Sequence, residues 1–171
     1  VVLPLLYLSA FVLKENPADT QARELMQIMK SEDAAALAGE VTERELSDFR
    51  IPRKAAEGFF REILFANADF VDGIASYVRS RPGTVLLRMN AKSKSGHGEQ
   101  FIWICETNLP SRSAGNSPKD QLLSSLIHFS SQVMYRDRYK GREFVSRTGA
   151  YRDFLKFNSS DLRRVGITQF S

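Results

Sequence analysis

The chain offers few side chains whose type and spacing could do chemistry. Gly96-His97-Gly98-Glu99 sets a histidine two residues from a carboxylate, with glycines on both sides of the histidine. Such a pair could act as base and orienter, or as half of a metal site. The same composition suits a β-hairpin tip, where Gly and polar residues build the turn. The other histidine, His128, lies between Ile127 and Phe129 and reads as a helix residue near the core edge. A metal site needs three or four ligands, and neither histidine has a second one nearby. Cys105, the one cysteine, alternates with Phe101 and Trp103. That places it on the core face of a strand, where a thiol is usually an inert hydrophobe.

A basic stretch is the more informative cluster. Arg136, Arg138, Lys140, Arg142 and Arg147 are interleaved with Tyr135, Tyr139 and Phe144. Arginines beside aromatics can hold phosphates and stack bases. Asp137 and Glu143 interrupt the run, as they would on a solvated face of alternating charge. Nucleophile motifs are missing: there is no Gly-x-Ser-x-Gly and no Ser-x-x-Lys. There is also no Walker A loop, no complete Gly-x-Gly-x-x-Gly and no His-Glu-x-x-His. No catalytic residue, metal or cofactor is assigned from the sequence.

Composition frames these residues. A length of 171 suits one domain, or a domain plus an anchor. Apolar residues at 43% and charged residues at 26% are ordinary globular values, which argues against global disorder or a collagen-like chain. One cysteine rules out an intrachain disulfide and a multi-cysteine zinc site. The net charge of +4 hides a gradient. Residues 1–70 carry 8 basic and 12 acidic side chains, while residues 134–171 carry 9 and 4. Patterned charge speaks to partners rather than to fold.

The elements that must position these residues follow from periodicity. Residues 1–13, VVLPLLYLSAFVL, carry no charge. As a helix they would cover about 20 Å, against about 30 Å for a bilayer core. The expectation is therefore the end of a transmembrane or signal-anchor segment, with the membrane exit at Lys14-Glu15-Asn16-Pro17; a buried N-terminal strand or helix is the alternative. Acidic residues just after the run point to the non-cytoplasmic side of a bacterial inner membrane.

Residues 14–136 read as an α+β domain. Asn16-Pro17 starts a helical region over 17–38, with a second cap at Ser31 and a stop at Gly39. Thr42-x-x-Glu45 fits a capping box. Apolar residues at i, i+3, i+4 and i+7 predict one long helix over 52–79, with Asn67 and Gly73 as points of bending. The period then changes to two, predicting a hairpin over 84–107 with a tip at Lys92–Gly98. Residues 108–118 form a Pro/Ser/Gly/Asn-rich linker, and 118–136 a further helix. Residues 137–171 are expected to begin a β-module, with a strand starting near Leu162 and further strands beyond Ser171.

Two likenesses accompany these expectations. Tyr139-Lys140-Gly141-Arg142, followed by apolar residues and Thr148-Gly149, resembles the first two strands of an OB-like β-barrel. It is similar to modules of uncharacterised, membrane-anchored bacterial envelope proteins, and it covers about a tenth of the chain. No functional residue is implied by it. Residues 17–107 resemble, at fold level, the opening of cystatin/NTF2-like cone folds, which often sit behind a membrane anchor.

Together these point to an α+β, membrane-tethered envelope protein without catalytic function, held by residues 1–13 and binding or scaffolding an unidentified protein or ligand. The alternative is a nucleic-acid or other polyanion-binding module that uses the stretch 135–152. An enzyme built on His97 and Glu99 is the third and weakest expectation.

Overall fold

The computed structural model describes residues 17–77, 84–95, 98–107, 122–138 and 159–168. Within them a three-stranded antiparallel sheet carries helices on one face. Helix α1 runs Pro17–Lys30 and buries Ala22, Leu25 and Met29. The helical region expected over 17–38, with its second cap, is two helices. Glu32 takes a left-handed φ of 55° and ends the first. Asp33, rather than Ser31, caps the second, its carboxylate accepting from the Ala36 N–H at 2.9 Å. Helix α2 spans Ala34–Glu40 and α3 spans Glu43–Asp48.

The capping box is present as the spacing predicts. Thr42 Oγ1 accepts from the Glu45 N–H, and Glu45 Oε2 accepts from the Thr42 N–H. Arg53 closes the other end of this region. Its Nη1 donates to the carbonyls of Ala38 and Val41, and its Nη2 pairs with Glu43. A guanidinium at a helix C-terminus satisfies carbonyls the helix leaves open.

The expected helix over 52–79 is corrected. Helix α4 covers Arg53–Phe59, widens into a π-helical turn at Phe60–Leu64 and ends in a single turn at Phe65–Asn67. The π turn inserts one residue, so Phe59, Phe60, Ile63, Leu64 and Phe65 are all buried. Asn67 donates from Nδ2 to the Ile63 carbonyl at 2.7 Å and stops the helix. Residues Ala68–Tyr77 then form strand β1. A β-bulge explains the misreading. Val71 is the extra residue between Phe70, paired with Ala91, and Asp72, paired with Asn90. Phe70 faces in, Val71 and Asp72 both face out, and the alternation restarts. That broken alternation imitates helical spacing.

Strands β2 (Val85–Ser93) and β3 (Gln100–Thr107) form the expected hairpin, in the order β1-β2-β3. Val85, Leu87, Met89 and Ala91 point inward, with Trp103 and Cys105 beside them. Helix α5 spans Leu122–Arg138, two residues longer than its expected end at 136. Helix α6 spans Ser159–Arg164, where the sequence predicts the start of a strand near Leu162. Gly166, at φ 90°, donates to the Arg163 carbonyl, and Ile167 donates to that of Leu162. This glycine-terminated cap folds the chain back so that Leu162, Val165 and Ile167 are all buried. The OB-like pattern at 139–154 and the apolar run 1–13 lie outside the described residues.

The core lies between the inner sheet face and the helices, with Phe70 at its centre. Its ring meets Phe65 and Trp103 edge-on, at 6.3 Å each, and Phe129 at 5.3 Å. Trp103 Nε1 donates to Ser125 Oγ at 3.1 Å and fixes β3 to α5. Gly73 lets α1 approach the sheet. A Cβ there would stand 2.8 Å from Met89 Cγ, 2.9 Å from the Arg88 carbonyl oxygen and 3.1 Å from Met26 Sδ.

The carboxylate of Glu45 also reaches across the molecule. Its Oε1 accepts from the N–H of Leu123, in the first turn of α5, at 2.7 Å. Glu45→Ala removes acceptors from both helix starts and is expected to destabilise the fold by about 2–3 kcal/mol in urea unfolding. Gly73→Ala is expected to cost about 1–3 kcal/mol, because the Arg88 carbonyl cannot yield. Thermal melts of the two variants check both figures.

Candidate functional site

Among the described residues the sheet is covered on one face only. Its other face carries Val71 and Ile74 on β1, Leu86, Arg88, Asn90 and Lys92 on β2, and Gln100, Ile102 and Ile104 on β3. The isoleucines are far from buried: Ile74 is 59% exposed, Ile104 55% and Ile102 48%. Single exposed apolar residues are normal on any protein; here Val71, Ile74, Leu86, Ile102 and Ile104 lie on one sheet face. The bulge enlarges the set by turning Val71 outward beside Asp72.

Register defines the geometry. Arg88 stands between Ile74 on one side and Ile104 on the other. Asn90 stands between Asp72 and Ile102, and its Nδ2 donates to Asp72 Oδ1. Lys92 stands between Asp69 and Gln100. A shallow open groove of about 450 Å³ runs over this end, lined by Val71, Asp72, Asn90, Lys92, Gln100 and Ile102 among others. The row at this end is polar, and Ile74 and Ile104 flank the Arg88 cation at the middle of the face.

The residues singled out in the sequence fall elsewhere. Cys105 is buried on the inner face beside Trp103, as its alternation predicts. Gly96 and His97 lie outside the described residues. Glu99 precedes β3, and its carbonyl accepts from the Ser93 N–H at 2.8 Å, closing the hairpin tip. Tyr139, Lys140, Arg142 and Arg147 are likewise outside the described residues. Arg136 and Arg138 fall on the last turn of α5. Among the described residues, no group of three or more His, Cys, Asp or Glu is placed to hold a metal ion. No helix among them is long and apolar enough to cross a membrane.

The architecture is thus α+β, a three-stranded antiparallel sheet with one helix-covered and one open face among the described residues. No protein-family model matches the chain, and neither does any curated protein or solved structure.

His128 is a titrating group whose surroundings shift it. It sits on α5, where Gln132 Nε2 donates to its Nε2 at 2.8 Å, which requires the neutral ring. Burial pushes its pKa below the ordinary 6.5. The unfolded chain therefore binds a proton at this residue before the native state does. Stability at this residue is complete above about pH 6.5 and declines as the pH falls through that value toward the lowered native pKa. Chemical denaturation across pH 5–8 is expected to show that decline, and His128→Gln to flatten it.

Proposed function

We propose that the chain is a non-catalytic binding or scaffolding protein, tethered to a membrane by residues 1–13, whose open sheet face is the docking surface. The observation that carries this reading is the one-sided sheet, with Ile74, Ile102 and Ile104 about half exposed on its uncovered face. Water against that much aliphatic surface is unfavourable by about 25 cal/mol per Å², a driving force for association. The uncharged run 1–13, ending sharply at Lys14, supports the tether.

Two measurements test the reading. Deleting residues 1–13 is expected to move the protein from the membrane pellet to the soluble fraction; a form that still sediments with membranes overturns the tether. A photo-crosslinking side chain at position 104 is expected to capture a discrete partner in cells, whereas one at Glu62, exposed on the helical side, does not. Equal labelling at both positions overturns the assignment of the face. With the crosslinker kept at position 104, the double variant Ile74→Asp/Ile102→Asp is expected to lose the crosslinked partner while its stability changes by less than about 1 kcal/mol.

The polyanion reading keeps one support, the density of Arg and Lys over 135–152. Retention on heparin or DNA that falls steeply with salt, and falls again on replacing Arg142 and Arg147, would favour it over the open face.

A further inference from the structure

The open face carries a charge that no described residue answers. Arg88 lies next to the midpoint of β2, the central strand, and both of its cross-strand neighbours are isoleucines, Ile74 and Ile104. Its guanidinium makes no ion pair or hydrogen bond with any described residue. The carboxylates on this face are placed otherwise. Asp72 receives Asn90, Asp69 stands opposite Lys92, and Glu106, diagonal to Arg88, has an interaction of its own. An arginine flanked on both neighbouring strands by isoleucines is a typical anchor of a protein interface, because a carboxylate brought to it is shielded from water on two sides.

The dimensions narrow the occupant. Three strands about 4.8 Å apart give a face about 10 Å across, the width of one α-helix. The nine residues of β2 span about 30 Å, matching about 20 helical residues. A second copy of the chain fits poorly. A two-fold face-to-face pairing about the middle of the central strand would bring Arg88 against its own image. The run 1–13 is apolar but carries no carboxylate. An anionic lipid surface would meet Asp69, Asp72 and Glu106 on the same face as Arg88.

We infer that the open face of the β1-β2-β3 sheet docks an amphipathic helix of a partner protein, whose apolar stripe covers Ile74, Ile102 and Ile104 and carries an Asp or Glu that pairs with Arg88. This rests on the open face being the docking surface, and it adds the shape and charge of what docks. Helix recognition by an apolar face uses anchors at i, i+3, i+4 and i+7; here one of those anchors is acidic.

The test uses a display library of helical peptides about 20 residues long, randomised along one face, selected against the full chain. Enriched sequences are expected to carry Leu, Ile or Phe at helical spacing with one Asp or Glu among them. Changing that acid to Lys is expected to weaken binding by at least about tenfold, and selection against Arg88→Glu to enrich Lys or Arg at the same position. Ile104→Asp is expected to abolish capture, with circular dichroism and the melting temperature showing that it still folds. Enrichment of neutral or basic helices, or of none, overturns the inference. So does binding of phosphatidylglycerol vesicles, or self-association in sedimentation, that is lost in Ile104→Asp. Crosslinking at position 104 reports separately on whether the face docks anything. If position 104 captures a partner while the selected helices lack an acid, the docking surface stands and the helix assignment falls.

Discussion

The carboxylate of Glu45 holds the helical layer together. It is 4% exposed, and its two oxygens serve two helix starts, one its own and one at Leu123, 78 residues further along the chain. One oxygen completes the capping box with Thr42, and the other takes the N–H of Leu123. Burying a carboxylate is costly unless its lone pairs are filled, and the backbone donors at helix starts are suited to fill them. Because both helices need the same group, α3 fixes where α5 begins. Helix α5 in turn receives the indole N–H of Trp103 through Ser125 and sets Phe129 against Phe70. The inner sheet face is covered by that sequence of contacts.

The same layout explains the exposed side. A three-stranded sheet presents two faces, and the helices among the described residues pack on one of them. The π turn at Phe60–Leu64 concentrates aromatic and aliphatic bulk on the inner side. Gly73 gives up a side chain so that Met26 of α1 can sit close to Met89. The core is thus filled from the inner side, and Ile74, Ile102 and Ile104 lie opposite it.

Features set by local spacing were legible in the sequence. Thr42 and Glu45 are three apart, and the capping box forms. Val85, Leu87 and Met89, with Phe101, Trp103 and Cys105, recur at a spacing of two, and they give the hairpin and line its inner face. What escaped was set by insertions of single residues. The extra residue in the π turn and the bulge at Val71 each shift a period by one, and together they disguised a helix-to-strand change at Asn67 as one long amphipathic helix. Asn67 and Gly73 carried the signal of that change, one as a helix stop and the other as a close backbone approach. The open face escaped for a different reason. Ile102 and Ile104 fit a strand buried on both faces as well as one bare on one face, and only the placement of the helices decides between them. Arg88 was legible as an outward residue, but its isoleucine neighbours come from two other strands and register alone brings them together.

The bulge at Val71 has a further effect on how the molecule behaves in a crowd. Among the described strands β1 is one of two edges, β3 being the other, and a straight, apolar edge strand is a template on which another chain can add its own. An inserted residue bends and over-twists the strand that carries it, so its free N–H and C=O groups fall out of line with an incoming partner. At the β1 edge, growth along the hydrogen-bonding direction therefore meets a crooked first rung, which disfavours there the stacking that ends in fibrils.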